Sequence, residues 1–130
     1  MTALRQALLV PSGNTGHHLF FVITDPQVIG GYGNAPQVVM VCICTVDESL
    51  PYDEACVLQP GQHPFIQHPS YLAYRHMRVD SASHVDRMIA TNVWIPQTDC
   101  TVAVLQQIRA GVCASRLTRR EFKQLFNCPP

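Results

Sequence analysis

The nine-residue run QVVMVCICT at residues 37–45 limits the possible folds more than any other part of the sequence. It is apolar at nearly every position instead of every second one. Continuous apolar character over a short, β-branched stretch is typical of a strand that is covered on both faces. We therefore predict that this segment is the central strand of the protein and lies in its core.

Other short segments also predict strands. Residues 18–24 (HLFFVIT) are β-branched and aromatic and too few for a helix, and residues 55–58 form a second short apolar stretch. Residues 2–10 are compatible with a first strand or with a short helical turn. Residues 71–79 are predicted to form one long strand, because their side chains can be divided between two faces at a period of two.

The last third of the chain has a helical period. Apolar residues recur at helical spacing from residue 101 onward, with Asp99 as the predicted N-cap and Gly111 as the predicted end of the helix. Thr118 and Glu121 predict a capping box for a second helix. Short strands followed by helices indicate a mainly β protein, either a small β-barrel or a strongly bent antiparallel sheet, with C-terminal helices.

The size and charge of the chain restrict its organisation. It has 130 residues, of which 47% are hydrophobic and 14% charged. This is enough for one packed core and too little for two domains, so residues 1–130 are predicted to form a single domain. The formal net charge is +0. A nucleic-acid site would therefore need a local cluster of cations, since the whole molecule does not attract polyanions.

The expected localisation is cytoplasmic. The N-terminal residues lack the pattern of an export signal, and no window has the apolar length of a membrane span. Six cysteines could pair in principle, but a chain this hydrophobic does not depend on disulfides for stability. We therefore expect reduced thiols and no membrane association.

Metal binding is not predicted from the spacing of the cysteines and histidines. No CxxC motif occurs, and the close pairs are Cys42 with Cys44 and His17 with His18. In a strand Cys42 and Cys44 would share one face of the apolar run, which suits buried thiols better than zinc ligands. Cys56 lacks any local signature of a catalytic Cys–His pair. We expect no metal, no cofactor and no cysteine nucleophile.

Polar and titratable side chains are concentrated between residues 53 and 79. The histidines and arginines of this window are His63, His68, Arg75, His76 and Arg78. Cations and imidazoles without paired carboxylates suit a phosphodiester substrate. Metal-free RNA cleavage needs a base for the ribose 2′-hydroxyl, an acid for the leaving oxygen and positive charge for the pentacoordinate phosphorus. Structural roles are the alternative, since histidines beside prolines can close a turn and an arginine can pair with a neighbouring acid.

The order of these segments resembles that of the PemK/MazF-like family of toxin ribonucleases from bacterial toxin–antitoxin pairs. Gly16-His17-His18 before LFFVIT resembles a family loop with a Gly-His step before the second strand. QVVMVCICT resembles a central strand that ends in threonine. Residues 70–79 resemble a strand that begins with serine and ends with an arginine. The resemblance covers about residues 14–126.

The resemblance implies an SH3-like barrel, usually a homodimer, that cleaves single-stranded RNA without a metal. A cognate antitoxin protein would occupy the RNA groove and silence the enzyme. The implied catalytic residues are Arg78, Thr45 and His17, and the expected substrate-binding residues are His18, Arg75, His76, His63 and His68. Arg75 stands where some family members have an acidic residue.

Two functions are therefore compared. The first is a metal-independent endoribonuclease, and the second is a non-catalytic SH3-like module that binds nucleic acid or a peptide. Convergence of Arg78, Thr45 and His17 in one open groove would favour the enzyme. Dispersal of these side chains would favour the binding module.

Overall fold

The structure is a computed structural model that describes residues 1–13 and 16–130. The described residues form seven β-strands, three α-helices and one 3-10 turn at Tyr74–His76. In chain order these are β1 (Ala7–Pro11), β2 (His17–Val22), β3 (Gln37–Thr45), β4 (Val57–Leu58), β5 (Ser70–Leu72), β6 (Arg78–Ser81), α1 (Ala82–Ala90), β7 (Ile95–Gln97), α2 (Val102–Ala114) and α3 (Arg120–Leu125).

Strand β3 lies at the centre of one antiparallel sheet, whose order is β4-β5-β3-β2-β1-β7. One edge of β3 pairs with β2. The other edge is shared, because β6 pairs with residues 37–40 and β5 with residues 43–45. The first seven residues of β3 are buried. The predicted central strand is thus confirmed with the bounds expected from its apolar run.

Each face of the sheet is covered by different helices. A first core packs the odd-numbered residues of β3 against α2 and α3, through side chains that include Ile108 and Phe122. A second core packs the even-numbered residues of β3 against α1 and the segment after it, through Val85 and Trp94. Burial on both faces explains why β3 is apolar throughout instead of alternating.

Residues 71–79 do not form the single long strand predicted from the sequence. The 3-10 turn at Tyr74–His76 separates β5 from β6. In a continuous strand Tyr74 and Met77 would point to opposite faces, whereas residues three apart in 3-10 geometry lie on the same side. Both side chains are buried in the first core. Burial of Tyr74 and Met77 together therefore accounts for the break.

Helix α2 differs from the prediction at both ends. Its N-cap is Thr101 instead of Asp99, and the Thr101 side chain accepts a hydrogen bond from the backbone N–H three residues later. The helix continues through Gly111 to its last residue, Ala114. A Cβ at position 111 would collide with the hydroxyl of Tyr74. Glycine is therefore needed at this position for close packing, and it does not end the helix.

The predicted capping box of Thr118 and Glu121 is wrong. Helix α3 begins at Arg120, and its N-cap, Arg119, makes no side-chain capping hydrogen bond. The Thr118 hydroxyl is buried and has no hydrogen-bond partner among the described residues. Because the helix starts one residue later than expected, Thr118 does not occupy the capping position.

One disulfide corrects the prediction that all cysteines are reduced. Cys113 at the end of α2 is bonded to Cys128, which follows α3. The bond ties the C-terminal segment to α2. The remaining cysteines are free: Cys42, Cys44, Cys56 and Cys100.

The prediction of a mainly β fold with C-terminal helices is confirmed. The strand pairs are antiparallel, and β4 and β7 form the two ends of the sheet without pairing to each other in the described part of the chain. The sheet is therefore not a closed barrel. Within residues 1–13 and 16–130, none of the helices has the length and apolar character needed to cross a bilayer.

Candidate functional site

A cleft of about 660 Å³ lies at one end of the sheet, where β2 begins and β3 ends. Its walls come from these strand ends, from residues 63–68 and from residues 97–98. The histidines and hydroxyl-bearing residues that line it are His17, His18, His63, His68, Thr45, Ser70 and Thr98. Five of the residues predicted from the sequence therefore line one cleft.

Antiparallel pairing explains why these residues meet. Thr45 pairs with Ser70 across β3 and β5. The Ser70 hydroxyl donates a hydrogen bond of 2.9 Å to the carbonyl oxygen of His68, which ties the loop to the strand. Since β2 runs antiparallel to β3, its first residues, His17 and His18, lie beside the last residues of β3.

Alternation along β2 directs His17 and His18 to different faces. Leu19 and Phe21 share a face with His17 and belong to the first core, whereas Phe20 shares a face with His18 and belongs to the second. His17 is exposed and His18 is half-buried. His17 therefore lies on the face of the sheet that carries the first core. His18 lies on the opposite face, at the border of the cleft.

His63 has a structural role in the cleft wall. It is 3% exposed, and its Nδ1 accepts a hydrogen bond of 3.1 Å from the backbone N–H of Phe65. Its Nε2 lies 2.6 Å from the carbonyl oxygen of Thr98, to which it must donate because a carbonyl only accepts. Both ring nitrogens are thus occupied by backbone groups, and through them His63 supports the loop.

Arg78 does not line the cleft with Thr45 and His17, so the three side chains do not converge in one groove. It pairs in register with Met40, whose side chain lies in the second core. Its guanidinium binds Asp80 through two hydrogen bonds, of 2.6 and 3.0 Å. The same group lies over the ring of Trp94, 5.4 Å from its centroid. The ion pair and the aromatic contact hold Arg78 on the other face of the sheet.

Arg75 and His76 are also separate from the cleft. Both lie on the 3-10 turn, and they line a smaller cavity of about 270 Å³ with Tyr52 and Asp53. The predicted continuous strand would have placed His76 beside Arg78 on one face and Arg75 on the other. Because the chain turns at Tyr74–His76, alternation no longer places His76 beside Arg78.

Replacing Arg78 with alanine is expected to lower the free energy of unfolding by about 1–2 kcal/mol, because the Asp80 carboxylate loses both of its charged hydrogen bonds. The Asp80 side chain is 10% exposed, and its other ionisable neighbour, His84, is 4.0 Å away. Urea unfolding measures the change. The exposed Arg87→Ala on α1 serves as the control, with a change within about 0.5 kcal/mol. Wild-type stability of Arg78→Ala would contradict the assigned role.

A second group of reactive side chains borders the cleft and was not predicted as a site. His18, Cys42 and Cys44 each offer one nitrogen or sulfur atom, and these atoms lie within 4.8 Å of one another. Among the described residues this is the one group of three or more that could hold a metal ion. The signal in the sequence was the same-face pair Cys42 and Cys44, but only the pairing of β2 with β3 brings His18 to them.

The pKa values of the two thiols in this group are shifted in opposite directions. Hydrogen bonding by the Cys42 thiol, with smaller contributions from Tyr71 and His18, holds the pKa of Cys44 below its ordinary value although burial opposes the shift. Hydrogen bonding with Cys44 and burial raise the pKa of Cys42. Cys44 is half-buried instead of fully buried as predicted. The pair therefore favours a thiolate at Cys44 next to a protonated Cys42.

Comparison with known proteins does not assign the chain to a family. No protein-family model matches the sequence. No curated protein and no solved structure matches it significantly. The resemblance to the PemK/MazF-like ribonucleases remains a prediction from the sequence.

Proposed function

We propose that the protein is a metal-independent endoribonuclease that cleaves single-stranded RNA by attack of the ribose 2′-hydroxyl. The observation that supports this proposal is the clustering of His17, His18 and His68 with Thr45 on one open cleft. Imidazole is the side chain that can both accept and donate a proton near neutral pH. RNA cleavage requires one group that accepts a proton and one group that donates a proton.

His17 and His68 are the proposed acid–base pair. Both are exposed, whereas His63 has both ring nitrogens occupied and His18 lies towards the second core. One imidazole removes the proton of the 2′-hydroxyl, whose oxygen then attacks phosphorus. The other, as imidazolium, gives its proton to the departing 5′-oxygen. The products are a 2′,3′-cyclic phosphate and a 5′-hydroxyl.

The remaining cleft residues suit binding of a single strand. The Thr45 side chain is exposed at the end of β3, and its hydroxyl can donate to a non-bridging phosphate oxygen. Phe65 is 41% exposed on the cleft wall, where its ring offers a surface for base stacking. No arginine or lysine lines the cleft in the described part of the chain. We therefore expect RNA binding to depend only weakly on salt.

The proposal is tested with an RNA oligonucleotide in buffer that contains a chelator. Wild-type protein is expected to cut the strand and to leave a 2′,3′-cyclic phosphate, identified by mass spectrometry. An otherwise identical strand with a 2′-O-methyl group at the cut site should stay intact, because its oxygen has no proton to lose. A set of oligonucleotides of all dinucleotide steps that remains uncut at high protein concentration would rule out the proposal.

A second candidate is a non-catalytic module that binds single-stranded RNA. It is favoured by one observation, the retention of Arg78 by Asp80 and Trp94 away from the cleft. Without a guanidinium, the cleft has less positive charge to stabilise the negative charge on a pentacoordinate phosphorus. This candidate predicts equal affinity for the 2′-hydroxyl and 2′-O-methyl strands and no cleavage of either.

The endoribonuclease proposal includes partners. A cognate antitoxin protein would inhibit by filling the histidine-lined cleft. The sheet, which is not a closed barrel, would correspond to an open SH3-like arrangement. The protein would work in the cytoplasm. A homodimer is supported by β7, which is an end strand of the sheet and exposes Ile95 at 44%. An end strand with an exposed apolar side chain can pair with a second copy of the chain.

A further inference from the structure

We propose that His18, Cys42 and Cys44 form a binding site for a soft metal ion such as Zn²⁺ at the border of the cleft. Their donor atoms lie within 4.8 Å of one another. In a tetrahedral zinc site, sulfur and nitrogen donors are about 3.5–3.8 Å apart. The three side chains must therefore close by only about 1 Å, which small rotations of His18 and Cys44 can provide.

The sheet fixes the positions of the three side chains. Phe20 pairs with Cys42 across β2 and β3, and the same antiparallel order brings His18 opposite Cys44. All four residues lie on the second-core face, because their positions along each strand differ by two. Rigid strands on both sides mean that the site does not need to be assembled from mobile loops, which lowers the entropic cost of binding.

The donor set determines the class of ion. Two thiolates and one imidazole are soft or borderline ligands, which select Zn²⁺ or Cu⁺ and disfavour Mg²⁺ and Ca²⁺. On binding, Cys42 releases its proton to solvent, and the two thiolates then neutralise the charge of Zn²⁺, so the bound ion adds no net charge to a half-buried position. Tyr71 pairs in register with Cys44 across β3 and β5 and packs against the same core, so it lies beside this ligand as a group that orients a metal ligand does.

Three protein ligands leave the fourth position of a tetrahedral ion open. His18 and Cys44 line the cleft, whereas Cys42 is 4% exposed behind them. The open position is therefore on the cleft side, where a water molecule or a small ligand can enter. The site does not depend on the proposed ribonuclease activity, for which His17 and His68 are the acid–base pair, and binding is measured without RNA.

The site is tested by titrating Zn²⁺ and Co²⁺ into protein that has been stripped with a chelator and kept free of reductant, so that the Cys113–Cys128 disulfide stays closed. One equivalent of Zn²⁺ is expected to bind. Co²⁺ should produce thiolate charge-transfer absorption in the near ultraviolet. Cys44→Ser and His18→Ala should each weaken Zn²⁺ binding by at least about 100-fold.

Two control variants separate this site from adventitious binding. Cys100→Ala removes a free thiol outside the group, and His17→Ala removes the neighbouring imidazole that lies on the other face of β2. Both should bind Zn²⁺ like the wild type. Absence of binding, binding that survives in Cys44→Ser, or equal loss in the controls would each overturn the proposal. Circular dichroism confirms that the variants fold.

Alkylation supplies an independent readout that needs no variant. Cys44 is half-buried, whereas the other free cysteines, Cys42, Cys56 and Cys100, are buried. Iodoacetamide is therefore expected to label Cys44 first, as located by peptide mass spectrometry. One equivalent of Zn²⁺ should slow this labelling at least about 10-fold, and Mg²⁺ should not. Labelling at an unchanged rate with Zn²⁺ would count against the site.

Discussion

Replacing His68 with alanine is expected to reduce the rate of RNA cleavage by a factor of about 10²–10⁴, the usual loss when a general acid or base is removed. His68 is exposed on the cleft, so its loss removes no core packing. The free energy of unfolding should stay within about 0.5 kcal/mol of the wild-type value. Single-turnover cleavage of a labelled oligonucleotide, with urea unfolding of the same preparation, measures both quantities.

His76→Ala is the matched control for this prediction. His76 is also an exposed histidine, but it lies on the 3-10 turn beside the smaller cavity. Its replacement should leave cleavage unchanged. The pH dependence adds a further distinction, because an acid–base pair gives a bell-shaped profile and loss of one partner removes one limb. Equal activity of His68→Ala and His76→Ala would show that the histidine-lined cleft is not the reaction centre.

Replacing Gly111 with alanine is expected to lower the free energy of unfolding by about 2–3 kcal/mol. The added Cβ would lie 2.6 Å from Cζ of Tyr74 and would also collide with its hydroxyl. Tyr74 cannot retreat, because its side chain is fully buried and its hydroxyl donates a hydrogen bond of 2.7 Å to the carbonyl oxygen of Ile108. The free-energy cost of this overpacking exceeds the gain of about 1 kcal/mol that alanine brings in helix propensity.

Gly30→Ala is the control for this substitution, since nothing lies within 4 Å of a Cβ at that position. The free energy of unfolding of Gly30→Ala should differ from the wild-type value by no more than about 0.5 kcal/mol. Tyr74→Leu in the Gly111→Ala background should recover part of the loss, so that the two changes are not additive. Thermal unfolding and urea titration measure the wild type, the two glycine variants, Tyr74→Leu and the double variant. A Gly111→Ala variant as stable as the wild type would show that the helix and the tyrosine are not in close contact.

The elements with the strongest local signal were predictable from the sequence. The bounds of β3 followed from its apolar run, and α2 followed from apolar residues at helical spacing, which are now found in the first core. The ends of α2 were not predictable, because Gly111 is required by a tyrosine 37 residues earlier in the chain. The residues next to a glycine in a helical pattern do not show whether the glycine ends the helix or allows close packing of another side chain.

The candidate site was predictable only in part. Thr45 and His17 were expected together, and strand pairing brings both to the cleft. Arg78 was expected with them because the family resemblance implied all three as catalytic residues; residues 71–79, which contain it, were predicted to form one strand. The 3-10 turn in that segment depends on long-range burial of Tyr74, which no local pattern of residues expresses. Pairing between β2 and β3 likewise created the His18 and cysteine group from residues that are distant in sequence.

The burial of β3 on both faces means that polarity does not determine its alignment with its neighbours. A slip of one residue would still place apolar side chains on either side, so specific contacts must prevent it. The Thr24 hydroxyl accepts from the N–H of Val39, and the N–H of Ala73 donates to the carbonyl of Cys42. These two anchors keep the Thr45 hydroxyl on the first-core face of the sheet and the Cys44 sulfur on the second-core face, although both residues line the cleft.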